Sequence, residues 1–151
     1  MSEVLKEYQK MQERFKLPQL DRLQSVFQFE LEECCNIDGI RDEISDRLFD
    51  FTERVIEPLI WSMHNCHMIE RDMLSHGEAA EIFEMYKKIQ ALRWKNNLLS
   101  IRPDPEGTAQ WIKEMWEFWR NFEGRAAGLC TKFSKGWETL SFRETTMDYQ
   151  A

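Results

Sequence analysis

Glycine and proline are scarce: six and four, respectively, in 151 residues. That excludes collagen-like, proline-rich and low-complexity architectures and leaves few places where a helix is forced to stop. No apolar run approaches the length of about 18 residues that a membrane-spanning helix needs. Met1 to Lys16 is polar with a helical apolar stripe, so a secretory leader is not expected. The four cysteines, Cys34, Cys35, Cys66 and Cys130, form no spaced framework, and an adjacent pair cannot easily supply two structural bridges. Free thiols in a reducing, cytoplasmic setting are the expectation. Long period-2 alternation, which would mark half-buried strands, is missing. So are internal repeats, a Gly-rich phosphate loop, Cys-x-x-Cys, Gly-x-Ser-x-Gly and His-Glu-x-x-His, and with them the local arguments for several common chemistries.

What fills the chain instead is Glu, Lys, Gln, Leu, Met and Arg, all good helix formers. At 42% hydrophobic and 31% charged, the composition is that of a globular protein. Val4, Tyr8, Met11 and Phe15 share one helical face. Leu17-Pro18 ends that helix, because proline disfavours helical geometry in the residue before it. Pro18 can itself open a second helix, with Leu20, Leu23, Phe27, Leu31 and Cys34 inward. After an Asn36–Gly39 turn, with Asp38 as the expected N-cap, Ile40, Ile44, Leu48, Phe51 and Val55 begin a long third helix. Pro58 should kink it, and Leu59, Met63, His67 and Leu74 continue its stripe.

Ser75-His76-Gly77-Glu78 fits a capping box, opening a fourth helix on Ala79, Ile82, Phe83, Tyr86, Ile89 and Leu92. Asp104 as N-cap with Pro105 in the first turn opens a fifth, carrying Trp111, Ile112, Met115, Trp116, Trp119 and Phe122. Gly124 and Gly128 separate it from a sixth containing Leu129, Phe133, Trp137 and Leu140. The expected fold is therefore all-α: a single-domain antiparallel bundle of about five to six helices over 1–142, with the third helix kinked near Pro58. A polar, disordered tail is expected over 143–151.

Charge divides the chain. Met1 to Glu84 carries nine Lys and Arg against nineteen Asp and Glu, whereas Met85 to Ala151 carries eleven against eight. Between Lys87 and Arg102 there are five basic residues and no acid. Such polarity orients an encounter with a charged partner or a second copy, or else marks solvated faces.

The polar stretch with the richest chemistry is His64 to Arg71. At about 100° per residue, Cys66, His67 and Glu70 fall on the apolar arc of the long third helix. A buried carboxylate requires a partner, which a metal, an internal base such as Arg93, or a histidine could supply. Bundles build metal sites from facing Glu and His, but the di-iron arrangement uses Glu-x-x-His on two helices. Here the order is His67-x-x-Glu70 and it occurs once. Glu53, Glu57, His64 and Arg71 lie on a neighbouring face, where ion pairing along the helix accounts for them.

Two short patterns resemble those of helical enzymes. Glu30-Leu31-Glu32-Glu33 with Glu43-Ile44-Ser45-Asp46 is similar to the magnesium-holding acidic pairs of all-α nucleotide pyrophosphatases, although Asn36–Gly39 breaks the chain between them. Arg71 and His76 have the Arg-x4-His spacing of HEPN-type RNases, with the Ser75 cap falling inside the motif.

Trp94 within the basic stretch, followed by Trp111, Trp116 and Trp119, resembles the rings and bases of a single-strand nucleic-acid binder. A net charge of −7 and the core spacing of Trp111, Met115, Trp119 and Phe122 oppose it. The composite expectation is a non-catalytic helical interaction module, a small subunit or adaptor with a protein partner or a second copy. No cofactor and no membrane contact are expected. Its interface would use Arg93, Lys95, Arg102, Trp116 and Phe118, with Trp116 as anchor. The alternatives are a metal-binding or catalytic bundle centred on His67 and Glu70 with Cys66, and a nucleic-acid binder using residues 87–102.

Overall fold

A computed structural model describes residues 2–61 and 64–141. The first helix, α1 (Glu3–Phe15), starts because the Ser2 hydroxyl accepts from the Leu5 amide. It ends at Lys16, which is left-handed (φ 58°), and Tyr8 donates its hydroxyl to the Pro18 carbonyl at 2.6 Å. Helix α2 (Leu20–Phe27) buries Leu20, Leu23 and Phe27 but does not extend to Cys34. Gln28 turns left-handed (φ 53°), and a 3-10 turn at Leu31–Glu33 follows. The apolar spacing through Leu31 and Cys34 is thus satisfied by a turn rather than by helix.

Asn36, not Asp38, caps α3 (Ile37–Val55), accepting from the Gly39 amide at 3.0 Å. Asp38 sits in the first turn, where its charge suits the helix dipole. At Ile56 the axis bends by 37° into the four-residue α4 (Glu57–Ile60), with Pro58 in its first turn. The expected kink is present, but the helix does not continue to Leu74. A break follows α4, and α5 (Asn65–Asp72) starts anew. Met63 lies outside the described residues.

Helix α6 (His76–Ile101) begins in the anticipated capping box: Ser75 accepts from the Glu78 amide, and the Glu78 carboxylate from the Ser75 amide. Asp104 and Pro105 open α7 (Pro105–Thr139). The expected fifth and sixth helices are one helix of 35 residues running through Gly124 and Gly128. A Cβ at either glycine would meet nothing within 4 Å, so the chain there faces outward and its apolar side continues uninterrupted. The expected tail at 143–151 falls outside the described residues.

Helices α6 and α7 form an antiparallel hairpin, fixed by Lys132–Glu78 (2.5 Å), Arg125–Glu81 (3.4 Å) and Lys95–Glu114 (2.9 Å) in descending and ascending order. Trp111 crosses the same interface, donating to the Leu92 carbonyl at 2.9 Å. Helix α3 packs on both, and α1 on α3 and α7. Phe27, Trp119 and Phe122 form one ring cluster inside, with Phe51 at its edge. Counting α4 as the bent end of α3 gives six helices and no strand among the described residues. No helix among them is long and apolar enough to cross a membrane.

One polar knot fastens this bundle. Arg41 of α3 is buried, and donates to Asp38 (3.0 Å), Thr108 of α7 (3.0 Å), Asp42 (3.1 Å) and Ser100 of α6 (3.4 Å). Thr108, fully buried, donates in turn to Asp38. A guanidinium is suited to this role because its donors fan out in a fixed plane.

Candidate functional site

The five residues expected to form an interface do not share one surface. Trp116 is only 8% exposed and belongs to the core, with the Arg22 guanidinium 5.3 Å from its ring centroid. Its position off the Trp111–Met115–Trp119 line does not free it, because α7 is covered by α1, α3 and α6 and so buries a broad arc. Phe118 is half-buried and stacks on Phe122 at 5.2 Å. Arg93 is held against α3 by Glu53 (3.2 Å) and lies over the Phe49 ring. Lys95 binds Glu114 on α7, and with Phe118, Lys88 and Asn121 lines a groove of about 350 Å³ between α6 and α7. Arg102 caps α6, exposed, and makes no ion pair among the described residues.

The trio Cys66, His67 and Glu70 is likewise dispersed. Cys66 is exposed in the first turn of α5. Glu70 accepts a hydrogen bond from the Trp137 indole of α7 at 2.9 Å, a partner outside the three anticipated. His67 lies 5.4 Å from His64, ring to ring, and both line a groove of about 410 Å³ with Glu53, Glu57, Pro58 and Trp61. Among the described residues no three His, Cys, Asp or Glu side chains are grouped so as to hold a metal. Arg71 and His76 line a groove of about 290 Å³ where α5 meets α6. Cys34 is buried, and desolvation with nearby Glu43 and Glu33 pushes its thiol up to about 11, a poor nucleophile.

The feature that periodicity alone did not single out is the outer face of α6. Phe83, Trp94, Leu98 and Ile101 are all exposed. At about 100° per residue they fall within an arc of about 60°. Ile82, Met85, Ile89 and Leu92, which are buried, occupy roughly the opposite side. The helix is therefore apolar on two faces, and only one is covered. The signal was available: following the wheel past Leu92 to Ile101 separates two stripes, whereas listing Phe83 with Ile82 merges them.

Set against protein-family models, curated proteins and solved structures, the chain matches none.

Proposed function

We propose that the protein is a non-catalytic helical interaction module, a small subunit or adaptor that docks through the outer face of α6. The supporting observation is the line of exposed rings and aliphatic chains, with Trp94 at 69% and Ile101 at 78% exposure on a well-packed helix. Exposed apolar patches mark interfaces, and tryptophan is enriched among residues that dominate binding energy. Trp116 and Phe118 of α7 are packed in or against the core, and Arg93 and Lys95 are ion-paired within the fold, so the contact rests on the exposed apolar side chains of α6. Co-purification from the native cell tests this. Proteins retained by the natural chain should be lost with Leu98→Glu, whose helix content and melting stay unchanged. An unchanged set of retained proteins would refute the assignment of this face.

A nucleic-acid reading uses the same face, favoured by the exposure of Trp94 on a helix that also carries Lys87 and Lys88 and ends at Arg102. Base stacking would quench Trp94 emission, and added salt would reverse it steeply. Titration with single-stranded RNA and DNA distinguishes the two: the module reading expects no such quenching.

A further inference from the structure

Helix α6 is polarised along its length as well as apolar on two sides. Its first turns carry Glu78, Glu81 and Glu84 and no Lys or Arg; from Met85 to Arg102 there are Lys87, Lys88, Arg93, Lys95 and Arg102 and no acid. Two such helices laid side by side in the same direction would set acid on acid and base on base. Glu78 and Glu81 are held by Lys132 and Arg125 of α7, and Arg93 and Lys95 by Glu53 and Glu114, so the outer flank carries Glu84 toward one end and Arg102 at the other. Laid in opposite directions, two helices set each Glu84 near the Arg102 of the other. We propose that the outer face of α6 pairs with the same face of a second copy of this chain, antiparallel and about a two-fold axis. This proposal rests on the interaction-module reading and specifies its occupant.

The side chains fit that register. With Phe83 (49% exposed) opposite Ile101 of the second copy, the two-fold axis passes near Leu92 on the helix axis. Trp94 then lies level with Gln90 and next to the small Ala91, and Leu98 (57% exposed) lies level with Tyr86 and next to the methylene stem of Lys87. Each contact occurs twice, as an isologous interface requires. On one flank Glu84 falls beside Arg102, which has no ion-pair partner among the described residues of its own chain. Glu84 is already 3.2 Å from Lys87, so a second base would join an exposed pair rather than rescue a buried charge. Opposite charge at the rim selects direction and partner more than it adds affinity.

From Phe83 to Ile101 the outer face is about 27 Å long at 1.5 Å per residue, with Lys87 and Gln90 between Phe83 and Trp94. A single helix face of that length lies at the small end of specific interfaces, below about 1,200 Å² in total. The dimer should therefore dissociate in a micromolar range and be seen as a concentration-dependent equilibrium.

Sedimentation velocity on the full chain, from low to high micromolar, tests the pairing. Wild type should shift from monomer to dimer. Leu98→Glu and Trp94→Gln should each weaken dimerisation by roughly tenfold or more, with circular dichroism and melting unchanged. Glu84→Arg alone and Arg102→Glu alone should weaken it, and the two together should restore it, which a parallel pairing would not do. A chain that stays monomeric, dimers indifferent to Leu98→Glu, or no restoration in the double reversal would each overturn the proposal. A monomeric chain that still retains partners sensitive to Leu98→Glu would remove the self-pairing and leave the module reading standing. Monomers whose Trp94 emission is quenched by single-stranded nucleic acid would remove both.

Discussion

The Trp137 indole donates to the Glu70 carboxylate at 2.9 Å, tying the last turns of α7 to α5. Sixty-seven residues separate the two in sequence. The contact explains why a helix of 35 residues stays ordered past the reach of α1: its far end is anchored on the short helix that follows the break after α4. Trp137→Phe keeps most of the packing and removes the donor. It should cost about 1 kcal/mol in chemical denaturation and speed amide exchange selectively in α5. Glu70→Gln retains an acceptor and should cost less. Exchange in α5 that is indifferent to Trp137→Phe would show that the bond does not hold α5 in place.

Trp116 and Trp94 should behave in opposite ways. Trp116 packs in the core beneath Arg22, so Trp116→Ala should destabilise by about 3–5 kcal/mol, the cost of truncating a buried large ring. Trp94→Ala removes an exposed ring and should change stability by about 0.5 kcal/mol or less. Equilibrium urea unfolding of both variants measures the contrast. Equal losses would place both rings in the same environment, against the arrangement seen.

Arg41 joins three helices through four side chains, and its removal would strand Asp38 beside a buried Thr108. Breaking a buried charged network from one side costs about 3–5 kcal/mol, so Arg41→Ala should approach that range. Thr108→Val, which removes one hydroxyl that both accepts and donates, should cost about 1–3 kcal/mol. A double-mutant cycle with Asp38→Asn reads the coupling. Additive effects would mean that the contacts act separately rather than as a network.

Thiol labelling should divide the cysteines. Cys35, Cys66 and Cys130 are exposed, and Cys34 is buried with its thiol pushed up to about 11. At neutral pH three thiols should react in the folded chain, and the fourth only on unfolding. Fast labelling of Cys34 in native buffer would show that the 3-10 turn and the start of α3 open readily.

What could be read from the sequence was what is decided locally. The Ser75–Glu78 box and the Asp104-Pro105 start are each settled within four residues, and both stand where expected. The first turn of α3 was displaced because Asn36 and Asp38 are both competent caps, and the choice depends on which amide each can reach. Gly124 and Gly128 cost a helix about 1 kcal/mol each. Packing of Phe122, Leu129 and Phe133 outweighs that, and packing is a tertiary quantity. The site was less legible than the fold. Whether Trp116 or Trp94 faces solvent depends on how many neighbours surround each helix, and periodicity records only which residues share a side. Glu70, expected to be buried, is only partly so, and its partner lies on another helix, beyond any local pattern.

The capping box at α6 should leave a signature in acid. The Lys132 ammonium, 2.5 Å away on α7, donates to the Glu78 carboxylate, and the Ser75 amide and hydroxyl add to its stabilisation. Together they lower the carboxyl from 4.5 to about 2. A carboxylate held below its unfolded value binds fewer protons in the folded chain. Its contribution to stability is therefore complete above pH 4.5 and is lost as pH falls through about 2. Glu78→Gln removes this titration while preserving shape. At neutral pH the variant should be the less stable, and the gap between the two proteins should close progressively between pH 4.5 and about 2. Lys132→Met should remove most of the same dependence, because the Lys132 bond is the largest cause of the shift. Because every other carboxylate titrates in both proteins, the difference between them isolates Glu78. A gap that stays constant with pH would mean that Glu78 is no better stabilised in the folded chain than in the unfolded one, and that the Lys132–Glu78 pair does not fasten the α6–α7 end.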